Sequence, residues 1–214
     1  MIIDVWSDVV CPWCFIGKRR LEGAIERLRA QSPDTQITVR HRAFQLQPDI
    51  EGIEKTSDHL SKKYGVGPDQ VAAMQQNVCS IADGEGLCYD LADTFSGNTM
   101  DAHRLLLWSA SLDKQDELLE AMFCAYFEKQ QALFTHDDLM SITNSVGLDP
   151  LYVRAILESD EYSQDVRGDQ ELAHRLGATG VPFFVIDMKF GLSGAAPAEN
   201  FDAVLKQALE AADA

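Results

Sequence analysis

The sequence predicts an α/β fold in which a large all-helical insertion interrupts a small sheet. Residues 2–44 have the pattern of a strand, a helix and a second strand. Residues 183–212 have the pattern of a strand, a hairpin partner and a final helix. Between them, from about residue 56 to residue 160, helical patterns follow one another and no convincing strand appears. We therefore expect the outer segments to share one sheet and the helical block to be inserted into it.

The N-terminal unit is expected to start with a strand at residues 2–7, where the almost continuous apolar run indicates burial on both faces. A helix is expected over residues 12–30, because apolar residues recur there at steps of three and four until Ser32-Pro33. Residues 36–44 alternate and are rich in β-forming residues, which predicts a second strand. A strand, a helix and a strand in this order predict a parallel pair with a right-handed crossover.

Six helices are expected in the inserted block, at residues 56–64, 68–85, 100–113, 115–130, 137–146 and 150–158. Several have clear end signals. Thr135 with Asp138 resembles a capping box, and Gly147 stands where a C-terminal cap glycine belongs. The helical pattern then continues to Leu176, with a break near Ser159-Asp160.

The C-terminal part is expected to start its strand at residues 183–186, directly after Val181-Pro182. Residues 188–192 are expected to form the hairpin partner of this strand. Residues 198–212 are amphipathic and predict a last helix, with four apolar side chains facing inward: Phe201, Val204, Leu205 and Leu209.

The composition limits the classes of function. The formal net charge of −16 over 214 residues argues against nucleic acid or an anionic membrane surface as a partner. No stretch approaches the roughly 18 consecutive apolar residues of a membrane span, and the start has no signal-peptide pattern. Five cysteines in a chain too long to need disulfide staples favour a reducing compartment. We therefore expect a cytoplasmic protein.

The motif Cys11-Pro12-Trp13-Cys14 lies between the first strand and the first helix. A helix N-terminus has unpaired N–H groups and a partial positive charge, so a Cys11 thiolate should be stabilised there and its pKa lowered. Pro12 suits the first helical position, where no N–H is needed. Cys14, one turn later, is placed to attack a mixed disulfide formed at Cys11. This context favours dithiol redox chemistry.

Other uses of two cysteines at this spacing fit less well. A zinc ribbon needs a second close pair, which the chain lacks, so no metal is expected. A c-type haem site needs histidine after the second cysteine, where this chain has Phe15. The remaining alternative is that the two cysteines are buried and inert and take part in no reaction.

The order of elements, with Cys-x-x-Cys at the first helix and Val-Pro before a strand, is similar to the thioredoxin fold with a DsbA-type helical insertion. The resemblance divides the chain into the N-terminal half of a thioredoxin-like domain, a helical insertion domain and the C-terminal half: residues 1–52, 53–160 and 161–214. A closer likeness is carried by four segments: residues 7–17, 42–48, 98–104 and 180–186. They resemble the cytoplasmic, FrnE-like branch of DsbA-family oxidoreductases, which is related to 2-hydroxychromene-2-carboxylate isomerases and kappa-class glutathione transferases.

The resemblance implies a protein-disulfide oxidoreductase. Its catalytic residues would be Cys11, Cys14 and Pro182, with Pro182 in the cis form and facing the cysteines. Substrate contacts are expected from Pro12, Trp13, Val181 and His103, although a purely structural role is also open for His103. The main chain of Val181 would pair with an extended substrate. Partners would be protein or small-molecule thiols and disulfides and a cellular dithiol reductant, with no cofactor other than glutathione as a co-substrate.

The chain departs from the patterns of its relatives at two positions. The isomerases and kappa transferases generally have serine near the position of Cys11, whereas this chain has both cysteines, which disfavours the isomerase role. Trp13 stands where DsbA has histidine, so we expect a less oxidising couple than that of DsbA.

Several alternatives stay open on the sequence alone. The main rival function is a glutathione-dependent isomerase or transferase, and a third is a non-catalytic binder or chaperone. Cys79 and Cys88 are expected to be free thiols or a regulatory disulfide, and Cys124 a core residue. Lys18 is expected on a solvated helix face or as a positive charge near the thiols. Asp4 is expected as a surface or strand-end carboxylate or as a proton relay to Cys14.

Overall fold

The computed structural model describes residues 1–212 as a four-stranded sheet, a two-stranded ribbon and surrounding helices. The strands are β1 (Ile2–Ser7), β2 (Thr38–Ala43), β3 (Glu54–Lys55), β4 (Phe95–Ser96), β5 (Phe183–Ile186) and β6 (Phe190–Ser193). The helices are α1 (Pro12–Gln31), α2 (Thr56–Tyr64), α3 (Pro68–Gly84), α4 (Met100–Ala110), α5 (Gln115–Phe123), α6 (His136–Ser145), α7 (Pro150–Leu157), α8 (Ser163–Arg175) and α9 (Ala198–Ala212). A π-helical turn, Cys124–Glu128, follows α5. The predicted α/β class with a helical insertion is confirmed.

The main sheet has the strand order β2-β1-β5-β6. β1 and β2 are parallel, as the strand–helix–strand pattern predicts, and β5 is antiparallel to β1. Trp6 near the end of β1 lies opposite Phe183 at the start of β5. Consequently the segment that follows β1 and the segment that precedes β5 meet at one end of the sheet, where the functional site is built.

Both faces of β1 are covered. Ile3 and Val5 pack against α1 and α9, whereas Trp6 packs with Phe183 and with Ala173 of α8. A larger apolar cluster fills the inserted helices and continues into α1 through Cys14, Phe15 and Ile16. The insertion is therefore packed directly against the first turns of the helix that carries the cysteines.

Three local expectations are corrected. The block expected to be free of strands contains β4, which pairs with β3; strands of two residues are too short to give an alternating pattern. The helix expected over residues 115–130 ends at Phe123 and gives way to the π-helical turn. The hairpin partner of β5 starts at Phe190 rather than Met188, because Asp187 and Met188 adopt positive φ and form the turn.

Candidate active site

Cys11 and Cys14 lie on the tight turn that leads from β1 into α1. Cys11 is the residue that precedes the helix, and Pro12 occupies the first helical position. The Cys11 N–H donates to the Asp8 carbonyl at 3.0 Å, and the Cys14 N–H donates to the Cys11 carbonyl at 2.9 Å. Both cysteines are free thiols, with exposed fractions of 4% and 2%. Cys11 is therefore the N-cap residue of α1, at the end of the helix where the first backbone N–H groups have no partner within the helix.

The Val181–Pro182 peptide bond is cis and lies against the cysteines. The Cys11 thiol donates to the Val181 carbonyl, with 3.6 Å between Sγ and O. Helix α1 approaches Pro182 closely at Gly17, where an added Cβ would lie 3.0 Å from Pro182 Cγ. The structure thus brings together the three residues expected to be catalytic, although 170 positions separate Cys11 from Val181.

Cys14 is enclosed beneath Cys11. Burial raises the pKa of the Cys14 thiol well above its ordinary value, and Cys11 adds to this effect through a hydrogen bond and its charge. Asp8 acts in both directions, since its backbone hydrogen bond lowers the pKa of Cys14 and its charge raises it. Asp8 itself is 1% exposed. Asp8 is the carboxylate whose charge affects the pKa of Cys14, and the sequence offered no reason to assign it a role.

His103 does not line the open space beside Cys11. It is 2% exposed, and its Nε2 lies 3.3 Å from Asp8 Oδ1. The other carboxylate oxygen of Asp8 accepts the Leu46 N–H at 2.8 Å. The expected substrate contact of His103 is therefore replaced by a contact with Asp8, which fits the structural role left open for this residue.

Two charged residues have surroundings different from those expected. Asp4 is buried and accepts from Arg42 at 2.8 Å on the side of the sheet opposite to α1, so it is neither a surface carboxylate nor a relay to Cys14. Lys18 is only 6% exposed. It contacts three carboxylates: Glu22, Asp116 at 3.1 Å and Glu120 at 3.0 Å. Its charge is therefore compensated locally, and it lies neither on a solvated face nor free beside the thiols.

Tyr89, from the inserted block, reaches the cysteine turn and was not identified from the sequence. Its hydroxyl donates to the Pro12 carbonyl at 2.8 Å. Its ring stacks on Phe127 at 4.9 Å and on Phe15 at 6.1 Å between ring centroids. Burial raises the pKa of Tyr89 far above its ordinary value, and the charges of Cys11 and Cys14 act in the same direction. The hydroxyl therefore remains a hydrogen-bond donor at neutral pH.

A cleft of about 300 Å³ opens beside Cys11. Pro12, Trp13 and Val181, three of the residues expected to contact substrate, line it together with the cysteine. Its remaining wall comes mostly from the inserted block, including α2, α3 and the π-helical turn. Phe44, in contrast, is buried against His174 in the core and does not line the cleft. The site is thus a thiol at the edge of a concave, largely apolar space.

The other three cysteines are free thiols away from the cysteine turn. Cys79 is half-buried and Cys88 is exposed, and the structure contains no bond between them. Cys124 packs against the apolar cluster of the insertion, as expected for a core residue. Burial and the nearby Glu128 and Glu120 raise the pKa of Cys124 to about 11, which makes it a poor nucleophile at neutral pH.

Within residues 1–212, no cluster of three or more His, Cys, Asp or Glu side chains is arranged to hold a metal ion. The helices in the same range are too short or too polar to cross a membrane.

Comparisons with known proteins agree with this geometry. The chain is 37% identical to a probable DsbA oxidoreductase from Streptomyces coelicolor, with a TM-score of 0.93 over 98% of this chain and 90% of that one. It is 28% identical over 188 residues to the uncharacterised protein YwbO from Bacillus subtilis, covering 86% of each chain. A 2-hydroxychromene-2-carboxylate isomerase has a TM-score of 0.68 over 100% of this chain and 98% of that one. At 16% identity, this last likeness shows a shared fold alone.

The family model for the DSBA-like thioredoxin domain matches residues 2–206, which is nearly the whole chain. The match includes the cysteine turn, the inserted helices and the cis-proline segment. The chain therefore belongs to the DSBA-like thioredoxin domain family of thiol–disulfide oxidoreductases.

Proposed function

We propose that this protein is a protein-disulfide oxidoreductase that works by dithiol–disulfide exchange through Cys11 and Cys14. The observation that carries the proposal is the position of the Cys11 sulfur. It lies at the N-terminus of α1, 3.6 Å from the Val181 carbonyl and at the edge of the cleft. A sulfur in this place is within reach of a substrate bound in the cleft, and the N-terminus of a helix favours negative charge.

In the reducing direction, the Cys11 thiolate attacks one sulfur of a substrate disulfide. A bond forms between Cys11 Sγ and that sulfur while the substrate S–S bond breaks, and the other substrate sulfur leaves as a thiolate. The Cys14 thiolate then attacks Cys11 Sγ, which closes the Cys11–Cys14 disulfide and releases the second substrate thiolate. Two electrons pass from the enzyme to the substrate, and the reverse sequence oxidises a dithiol.

Resolution requires Cys14 to lose its proton, which its surroundings oppose because its pKa is raised by burial. Asp8 is buried next to this thiol, and we assign it the role of accepting the Cys14 proton. His103 would act as a positioning residue that holds the Asp8 carboxylate from 3.3 Å. Pro12, Trp13 and Val181 would contact the substrate in the cleft, and Pro182 would hold Val181 in place.

The proposal includes the surroundings in which the cycle operates. We place the protein in a reducing cytoplasm, where thiols and disulfides of proteins or small molecules would be its substrates and a cellular dithiol its reductant. The odd number of five cysteines, in a chain too long to need disulfide staples, supports this placement. The cycle needs no cofactor, since each step takes place at sulfur; glutathione would enter as a co-substrate.

Reduction of insulin disulfides by the Cys11→Ser, Cys14→Ser and Cys88→Ser variants tests the proposal. We expect Cys11→Ser to abolish the activity and Cys14→Ser to reduce it at least tenfold, because the mixed disulfide is no longer resolved within the protein. Cys88→Ser, which replaces an exposed thiol, is the matched control and should leave the rate unchanged.

The same variants separate the rival functions. A glutathione-dependent isomerase or transferase would conjugate or convert its substrate without the Cys11 sulfur, so Cys11→Ser would retain glutathione conjugation. A non-catalytic binder would keep its activity in both Cys11→Ser and Cys14→Ser. Either result would contradict the proposed exchange cycle.

A further inference from the structure

The cleft beside Cys11 has a composition unlike that of the protein as a whole. The chain has 34 acidic residues and a net charge of −16. Among the described residues that line the cleft, however, none is aspartate or glutamate. Most of the wall is apolar, with Leu60, Met74, Val78, Leu91 and Phe127 facing the space. An acidic protein has therefore kept carboxylates out of the space that a substrate sulfur must enter.

Three polar side chains at the back of the cleft already donate hydrogen bonds within the protein. The Gln75 side-chain amide donates to the Leu91 carbonyl at 3.0 Å, and the Thr94 hydroxyl donates to the same carbonyl at 3.1 Å. The Tyr126 hydroxyl donates to the Phe95 carbonyl at 2.5 Å. Beyond the main chain of Val181, a ligand with several peptide or carboxylate groups would find few free partners here, and burying such groups unpaired is costly. An apolar body has no such requirement.

One cationic group on the cleft wall has no partner of opposite charge. Lys63 near the end of α2 is exposed and makes no ion pair with any residue of the described chain. The other basic side chain on the wall, His59, is occupied on both ring nitrogens, by Gln47 at 2.5 Å and by Glu54 at 2.9 Å. Lys63 is therefore positioned to hold a single acidic group at the outer end of the cleft.

We infer that the cleft selects small thiols or disulfides that have an apolar body and one acidic group, in preference to glutathione. The inference rests on the proposed function in one respect, that the substrate sulfur is delivered to Cys11. The volume of about 300 Å³ lies at the lower end of small-molecule pockets, which suits one compact ligand. The apolar wall holds its body, and Lys63 holds its acidic end.

Binding of unreactive ligands to the reduced wild-type protein tests this selectivity without any redox step. Isothermal titration would compare 4-phenylbutanoate, which is apolar with one carboxylate, 4-phenylbutanol, which has no charge, and S-methylglutathione, which cannot form a disulfide. We expect 4-phenylbutanoate to bind at least tenfold more tightly than S-methylglutathione. It should also bind about fivefold more tightly than 4-phenylbutanol, the advantage expected of one exposed ion pair.

Three exposed substitutions locate the effect. Lys63→Gln should lower the affinity for 4-phenylbutanoate about fivefold and leave the affinity for 4-phenylbutanol unchanged. Lys189→Gln, in the turn of the β5–β6 hairpin, is the control and should change neither affinity. Met74→Glu places a carboxylate on the wall and should weaken 4-phenylbutanoate more than 4-phenylbutanol. Equal or tighter binding of S-methylglutathione, or an unchanged affinity in Lys63→Gln, would overturn the inference.

The outcome is independent of the exchange cycle. If Cys11→Ser retained full insulin reduction while the binding order held, the proposed function would fail and the selectivity of the cleft would stand. If insulin reduction followed the cysteines while S-methylglutathione bound as tightly as 4-phenylbutanoate, the selectivity would fail alone.

Discussion

Tyr89 connects the inserted block to the cysteine turn by a hydrogen bond. Its hydroxyl donates to the Pro12 carbonyl, which belongs to the same peptide group as the Trp13 N–H. Hydrogen bonds in series polarise one another, so this donor should make the Trp13 N–H a stronger partner for a Cys11 thiolate. We therefore expect Tyr89 to act on Cys11 through the backbone, as a positioning residue.

The Tyr89→Phe variant removes the hydroxyl that donates to Pro12 and so tests this role. In Tyr89→Phe the stacked ring remains, but the reduced form loses roughly 0.5–1 kcal/mol of stabilisation. Alkylation of Cys11 by iodoacetamide at pH 7 should slow a few-fold, and the equilibrium with glutathione should shift a few-fold towards the disulfide form. Tyr152→Phe, on the exposed side of α7, is the control and should change neither quantity. Unchanged Cys11 reactivity in Tyr89→Phe would show that the hydroxyl has only a structural role.

Individual side chains show what the sequence could and could not reveal. Cys11 and Cys14 were identified because their spacing and local context carry a mechanism, whereas Pro182 was identified only through the family resemblance. Asp8 stands three positions before Cys11, so a carboxylate near the motif was visible, but its burial next to Cys14 was not. Tyr89 gives no signal at all, since its contact with Pro12 spans 77 positions. Burial of Lys18 was missed because its carboxylate partners Asp116 and Glu120 lie on α5, far along the chain.

At the scale of elements, the position of helix α1 depends on its close approach to the cis-proline segment at Gly17. An added Cβ at Gly17 would lie 3.0 Å from Pro182 Cγ and 3.1 Å from Phe184 Cζ, both in packed rings. Gly17→Ala should therefore cost about 1–3 kcal/mol in the free energy of unfolding, measured by urea denaturation, and should lower insulin reduction because α1 shifts together with Cys11.

Gly23 provides a control on the same helix. A Cβ there meets only the flexible end of Arg27, at 3.2 Å. Gly23→Ala should leave insulin reduction unchanged and raise the free energy of unfolding by about 0.5–1 kcal/mol, through helix propensity alone. Equal effects of the two substitutions would contradict the contact described for Gly17.

Element boundaries were predictable where the chain carries a cap. The Thr135–Asp138 capping box is formed as expected, and the prolines at the starts of α1, α3 and α7 mark their first turns. The π-helical turn was missed because an apolar run of this length fits an ordinary helix equally well. Tyr126 and Phe127 of this turn pack into the apolar cluster of the insertion. That packing depends on residues far apart in the sequence, so the local sequence does not reveal the turn.

At the scale of the whole molecule, the inserted block and the thioredoxin-like part meet at the cysteine turn. The insertion contributes Tyr89, which donates a hydrogen bond to the Pro12 carbonyl of the turn. It also contributes most of the cleft wall, whose described lining has no carboxylate. The described wall of the cleft therefore has no carboxylate, whereas Asp8 is buried next to Cys14. The sequence predicted the order of the two parts, whereas their contact surface depends on pairings between distant residues.

The most direct test of the account is to trap the covalent intermediate. The Cys14→Ser protein would be incubated with intact, disulfide-bonded insulin and analysed by mass spectrometry without reducing agent. We expect a mixed disulfide at Cys11 that persists until a thiol is added, and none in the Cys11→Ser protein. Attachment at another cysteine, or no adduct at Cys11, would contradict the central claim that this sulfur is the nucleophile.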